Sequence, residues 1–362
     1  MSSPTNQRSA FTLVELLIAI AIIGIMSGMV MYTIAGAQSD AKRAKTQATI
    51  SKINAVILQK FEEYRYRSVK ISIPRRLTQR NFDPLTTSKS PPLLSARKAA
   101  TIRAFVLKDT MRMEMPDRMT DLTYTPSNIA LVLENGVLES LNNFGGRYCP
   151  REYNVLRNYF NLLPVSELYD ATPLAVERGG ATYRLSLDRE LWTEEYAAEE
   201  CLYAIVAHSM VDGGSALESF HPSEIGDLDG DSYPEFLDAW GNAIGWIRWP
   251  AAYPSQLNIS YMSNPDAFDP YKTNAQWANA QKPWTLIPLI ISGGADGDMG
   301  LAPYSASDPI PIYATPRTSP FDATTPSINP WYPDTGAPRV GQLNGSSTAA
   351  EDNITNHDIM LE

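Results

Sequence analysis

Histidine and cysteine are scarce in this chain, with three and two residues in 362. That leaves little room for a zinc centre or a histidine-based triad. The sequence also lacks a Gly-x-Ser-x-Gly elbow, a His-Glu-x-x-His helix and a P-loop, the signatures that announce common hydrolase and nucleotide chemistry. Gly293 to Gly300 is rich in glycine but follows no βαβ pattern, which argues against a phosphate cradle. No catalytic constellation emerges, and a non-enzymatic protein is expected. Basic charge is also in deficit, with 30 Lys and Arg against 40 Asp and Glu and a net charge of -10. A broad basic surface for nucleic acid is therefore not expected. Cys149 and Cys201 show no metal-binding spacing; they are either a disulfide pair in an oxidising compartment or two separate thiols.

What the sequence does have is one long apolar run. From Leu16 to Ala37 there is no charged residue, and about 20 residues at ~1.5 Å each cross a ~30 Å hydrocarbon core. Glu15 stands at the start of this run. A carboxylate there is costly in lipid and calls for a cationic partner. A cut between Ala10 and Phe11 would create one, because the new α-amino group of Phe11 lies four residues from Glu15 and can be neutralised by Glu15 of a neighbouring subunit.

Ser9-Ala10 followed by Phe11-Thr12-Leu13-Val14-Glu15-Leu16-Leu17 resembles the leader and cleavage signal of type IV pilins and pseudopilins, with Ala10 where that family usually has Gly. The resemblance implies a prepilin peptidase that cuts after Ala10 and methylates Phe11. It implies as partners other pilin or pseudopilin subunits and an inner-membrane assembly platform, and Glu15 as the assembly residue. It also implies a single-pass inner-membrane protein whose globular part is periplasmic. Lys42, Arg43 and Lys45 after the span, against Arg8 alone before it, would by the positive-inside rule give the opposite orientation. An uncleaved signal anchor is the plainer alternative. A secretory signal peptide fits less well, since its apolar core is only ~7 to 15 residues long.

Beyond the leader (1–10) and the membrane half of the helix (11–37), residues 38–67 contain no Pro or Gly and are rich in Ala, Lys, Gln and Glu, so the helix is expected to continue. Ile50, Ile53, Ile57, Phe61 and Tyr64 recur every three or four residues and form one apolar stripe. Residues 68–212 read as a mostly helical insertion with helices over Ala96–Met113, Arg151–Leu163 and Leu191–Met210. His208 on the third is expected to be a core or boundary histidine. Residues 213–362 read as sheet and loops, interrupted by a Ser/Thr/Pro-rich loop at 303–347.

Asp227-Leu-Asp229-Gly-Asp231-Ser-Tyr-Pro-Glu235-Phe-Leu-Asp238 places carboxylates at alternating positions in a glycine-containing loop. Such a loop either turns its oxygens inward on Ca²⁺ or is a solvated acidic turn. Its match to an EF-hand loop is partial, since Ser232 stands where that loop has Gly and Asp238 where it has a bidentate Glu.

Two further segments resemble the major pseudopilins of type II secretion. Asp238-Ala-Trp240-Gly241-Asn242 is similar to their Asp-x-Trp-Gly-Asn-Pro, with Ala243 for Pro. Ser292-Gly-Gly294-Ala295-Asp296-Gly297-Asp298, with Glu351-Asp352-Asn353-Ile354 near the end, is similar to their calcium-loop segments. This resemblance implies Asp296 and Asp352 as calcium ligands, helped by Asp298 and Asn353, clamping the base of the long loop. The expectation is thus an α+β fold, with a long N-terminal helix packed on a small, mainly antiparallel sheet and a helical insertion, serving as a filament subunit of a type II secretion or type IV pilus-like system. The alternative function is a membrane-anchored adhesion or ligand-binding protein with Trp246, Trp249, Trp277 and Trp284 as a recognition face.

Overall fold

The computed structural model describes residues 13–69, 77, 95–123, 130–132, 138–140, 149–162, 175–178, 181–184, 192–193, 195–211, 213–250, 253–258, 268, 286–301, 341–343 and 350–361. They fall into two compact units, Met1–Lys45 and Thr46–Glu362. Helix α1 (Leu13–Tyr66, 54 residues) enters both.

In the first unit the Leu16 to Ala37 stretch of α1 is apolar on all sides, and the large side chains from Leu13 to Ile34 are exposed. A helix of this kind is the composition of a membrane span, and it is long and apolar enough to cross one. Thr33 returns its hydroxyl to the helix, donating to Val30 O at 2.9 Å and Met29 O at 3.2 Å, so this donor is satisfied within the helix.

In the second unit the expected stripe is the spine of the core. Ile50, Ile53, Ile57, Phe61 and Tyr64 are all buried, each stabilising the fold by roughly 1.5–3 kcal/mol where fully withdrawn from water. They cluster with Leu107 and Met111 of α2 (Ala96–Glu114) and with Leu202, Ile205 and Val206 of α5 (Ala197–Ala207). The same cluster takes in one face of a three-stranded antiparallel sheet, ordered β11 (Ile354–Thr355), β10 (Leu289–Ser292), β9 (Gly245–Ile247). Trp246 pairs with Ile290 in register and both face this core. Their neighbours Ile247, Leu289 and Ile291 turn to the other face and make a smaller cluster with Met299 and Leu301, as the period-2 alternation of a strand requires.

A second core joins Met113 to α3 (Met119–Thr123), α4 (Arg151–Tyr159) and the start of α5. Phe160 stacks on Trp192 there, with ring centroids 4.0 Å apart. Between the two cores runs a buried ionic network. Arg248 on the strand side donates to Asp121 Oδ2 at 2.9 Å and lies 3.4 Å from Asp117 Oδ1, with no side-chain exposure. Burial acts to raise the Asp117 carboxyl, but Arg118 and Arg248 hold it well below the usual carboxylate range.

Several element bounds differ from the sequence expectation for local reasons. Helix α4 stops at Tyr159 instead of running to Leu163. Asn161 takes a left-handed φ of 51°, Asn161 N–H donates to Asn158 O at 3.2 Å and Leu162 N–H to Arg157 O at 2.8 Å. This is a Schellman ending, reached before Pro164 can act. Helix α5 is shorter at both ends than Leu191–Met210. Thr193 is drawn away into loop contacts at one end. At the other, Met210 begins a hairpin of β5 (Met210–Val211) and β6 (Gly214–Ser215) that turns through Gly213 at φ 83°. The segment expected to be mostly helical also holds two hairpins, β1 (Ala130–Val132) with β2 (Leu138–Ser140), and β3 (Ala175–Arg178) with β4 (Ala181–Arg184).

Candidate functional site

Three arrangements hold the residues singled out in the sequence. The first is the start of α1. Glu15 lies in its first turn, where a carboxylate meets the positive end of the helix dipole. Ala10 and Phe11 lie outside the described residues.

The second arrangement joins the two pseudopilin-like segments. Asp238 is buried, and its carboxylate accepts from Trp240 N–H at 2.8 Å, Asn242 N–H at 2.9 Å and Ser292 Oγ at 2.7 Å. Asn242 in turn donates to Gly294 O at 3.0 Å. Next to it Asp352 Oδ2 accepts from Ala295 N–H at 2.7 Å and Asp296 N–H at 3.4 Å. Asp298 N–H donates to Asp296, Gly300 N–H to Asp298, and Asn353 Nδ2 to Met299 O. Leu301 and Leu343 pair across the base of the long loop. The loop's two ends thus meet through backbone donors and a bridge. Among the described residues Asp296, Asp298 and Asp352 do not form a three-carboxylate cluster. Asn353 Oδ1 is buried without a hydrogen-bond partner.

The third arrangement is the acidic loop between β7 (Ile225–Gly226) and β8 (Glu235–Phe236). Asp227 ties the loop back on itself, accepting from Gly230 N–H at 2.7 Å and Ser232 N–H at 3.0 Å. Gly230 and Ser232 both take left-handed φ, 79° and 77°, so Ser232 adopts the backbone that an EF-hand loop gives to glycine at that position. Asp231 accepts from Tyr233 N–H and Thr193 N–H, both at 2.9 Å, and Asp229 accepts from Thr193 Oγ1. One oxygen from each of Asp227, Asp229 and Glu235 lies within 4.8 Å of the others. The same holds for Asp229, Asp231 and Glu200 of α5, so Asp229 belongs to both sets.

Two of these carboxylates are wholly buried, Glu200 and Glu235 at 0% exposure. Trp192 Nε1 donates to Glu200 Oε2 and Leu228 N–H to Glu235 Oε2, while Oε1 of each has no hydrogen-bond partner. Burial, reinforced by Asp231 and Asp229, pushes the Glu200 carboxyl up to about 9. Burial together with Asp229 and Asp227 pushes Glu235 up to about 7.

Asp227, Asp229, Asp231 and Glu235 therefore converge, whereas Asp238, expected with them, faces the sheet junction because it is the acceptor that closes its own turn. Sequence reading missed Glu200. The signal was a charge on the apolar face of α5, one turn from the buried Ala197 and Ala204. His208, expected as a core or boundary histidine, lies at the exposed C-cap of α5, with Nδ1 at 2.8 Å from Ala204 O. Trp246 and Trp249, expected on a recognition face, are buried, and Trp246 Nε1 donates to Pro116 O at 2.8 Å. Trp277 and Trp284 lie outside the described residues. Cys149 and Cys201 are unpaired thiols.

The family model of the prokaryotic N-terminal methylation motif matches residues 5–31. No curated protein and no solved structure matches the chain.

Proposed function

We propose that this chain, type IV pilin-like in its methylation motif and long apolar N-terminal helix, is a pseudopilin-type filament subunit of a type II secretion or type IV pilus-like system. The observation that carries the reading is the overlap of the motif at residues 5–31 with the exposed apolar start of α1, where Glu15 occupies the first turn. Pilin-type methylation-motif proteins are structural, are processed by a prepilin peptidase and assemble with other pilin subunits. In this reading the peptidase cuts between Ala10 and Phe11, Phe11 is methylated, and its amine meets Glu15 of the next subunit. The helix then passes from the inner membrane into a filament, with residues from Thr46 onward on the periplasmic side.

Support for the pseudopilin variant comes from the meeting of the Asp238 turn, the Ser292–Gly294 loop and Asp352, which lie far apart in sequence. An anchored adhesion protein finds less support, since Trp246 and Trp249 of its recognition face are buried. The test is the N-terminal peptide mass of the protein purified from native membranes. A methylated Phe11 terminus is expected; an intact Met1 would overturn peptidase processing and leave a plain signal anchor.

A further inference from the structure

The acidic loop has no part in filament assembly as proposed above, and its chemistry points elsewhere. Five carboxylates from Asp227, Asp229, Asp231, Glu235 and Glu200 form two overlapping sets, each with oxygens within 4.8 Å. Glu200 sits in one set with Asp229 and Asp231, and Glu235 in the other with Asp227 and Asp229, so each faces two like charges. A buried acidic pair of this kind is costly unless something positive or protic satisfies it.

The independent sign of a ligand is the pair of orphaned oxygens. Glu200 and Glu235 are fully buried members of the two sets, and Oε1 of each has no donor. Native structures leave few such atoms without cause, and an absent ion is one of the standard causes. The aspartates, though engaged by N–H groups, keep capacity, since an ionised carboxylate has about four lone-pair sites.

We propose that the Asp227–Glu235 loop and Glu200 bind a hard divalent cation, calcium by the ligand set, which fastens the loop to helix α5. Neither set contains histidine or cysteine, and an all-oxygen set disfavours zinc and copper. Calcium is favoured over magnesium because it accepts six to eight oxygens in irregular geometry, whereas magnesium demands a near-ideal octahedron and retains several waters. Glu200 supplies from outside the loop the closing carboxylate that Asp238, committed to Ser292, does not give. The cation would thereby join residues 27 or more positions apart and hold the Trp192–Thr193 segment in place through Glu200, Asp229 and Asp231.

The test uses the full-length chain in detergent micelles, stripped with chelator and titrated with CaCl₂ by calorimetry and thermal unfolding. Saturable binding is expected, with a Tm rise of roughly 5 °C at a hundredfold excess over Kd. Asp229→Asn, which touches both sets, should weaken binding at least tenfold, and Glu200→Gln should weaken it without lowering the Tm in chelator. Asp296→Asn should leave affinity unchanged. Tb³⁺ offers a second measurement that does not depend on loop variants folding. Its emission on tryptophan excitation should be quenched by added Ca²⁺ and should fall in Trp192→Phe. Absence of saturable Ca²⁺ binding to the wild-type chain at millimolar concentration would overturn the proposal, as would binding lost in Asp296→Asn but kept in both Glu200→Gln and Asp229→Asn.

Discussion

Ser292 donates its hydroxyl to Asp238 Oδ2 at 2.7 Å, joining two buried residues 54 positions apart. The bond is one of four that the Asp238 carboxylate accepts, two coming from backbone N–H groups of its own turn and a long one, at 3.5 Å, from Asn242 Nδ2. Ser292 Oγ in turn accepts from Gly294 N–H at 3.1 Å, so the turn before β9 and the loop after β10 behave as one hydrogen-bonded unit.

Replacing Asp238 by Ala releases four donors, of which the Ser292 hydroxyl is buried and those of Trp240 and Asn242 are half-buried. Each unsatisfied buried donor costs about 1–3 kcal/mol, partly relieved by relaxation or an entering water. Asp238→Ala should therefore lose roughly 3–4 kcal/mol and Ser292→Ala only about 1–2, since the latter removes one donor of the four. Urea unfolding of both single variants and the double variant measures this. A coupling energy near zero would mean the two residues do not act together.

Gly294 tests the same junction through sterics. Its φ is 64°, and a Cβ built on it would lie 2.5 Å from Asp352 O and 2.7 Å from Asp352 Oδ2. Gly294→Ala must both strain the backbone and push Asp352 away from Ala295 N–H. Gly213 is a fair comparator, with φ 83° and nothing near its Cβ. Gly213→Ala should cost about 1–2 kcal/mol from the left-handed backbone alone. Gly294→Ala should cost more by roughly 1–3 kcal/mol, the price of overpacking. Equal losses in urea unfolding would mean that the junction yields freely.

The part of this architecture that was legible in the sequence is the part written in local period and local chemistry. Ile50 through Tyr64 announced a buried stripe because a helix brings every third or fourth side chain to one face, and all five are buried. The Asp238 turn and the Ser292 loop were visible as segments, but the bond between them was not. The long-range polar pairings left no local trace. Arg248 meets Asp121 across 127 residues, and nothing near Arg248 in sequence indicates a buried cation. Glu200 is similar, since a second glutamate after Ala197-Ala198-Glu199 is an ordinary sight in a helix and only the fold puts it beside Asp229 and Asp231. The end of α4 was misplaced for a different reason. Proline is a conspicuous stop signal, but Asn161 stopped the helix first by accepting a left-handed backbone.

Glu224 predicts a pH dependence. It is buried against α1, where it accepts from Thr49 Oγ1, from Lys52 Nζ at 3.0 Å and from His221 N–H at 2.6 Å. Burial alone would raise its carboxyl, but Thr49, the His221 N–H and Lys52 together hold it below the ordinary glutamate value. A depressed folded-state value stabilises the protein above the unfolded value and loses that stabilisation as pH falls through the folded one. The stability gap between wild type and Glu224→Gln should therefore be constant from pH 7 to 5, at roughly 1–3 kcal/mol for charge-assisted bonds. It should shrink below about pH 4.3, where an unfolded glutamate begins to protonate. Comparing the two proteins by urea unfolding across this range cancels most other titrating groups, and a gap independent of pH would show that the Glu224 charge contributes nothing.

Glu15 carries the last prediction, and it separates anchoring from assembly. The apolar stretch of α1 that follows it is long enough to cross a membrane without it. Removing a carboxylate from the start of a membrane helix also makes insertion easier. Glu15→Ala should thus remain membrane-bound, should still be cut before Phe11, and should unfold at the wild-type Tm, because Glu15 lies outside the compact unit that begins at Thr46. What it should lose is the neighbour's Phe11 amine, and with it incorporation into filaments. Glu15→Gln keeps a hydrogen-bond acceptor but no charge, so it should also fail if neutralisation of the amine is the decisive step. Cross-linking in native membranes followed by recovery of sheared filaments reads both variants. Filaments at wild-type yield from Glu15→Ala would place the assembly contact elsewhere on the helix.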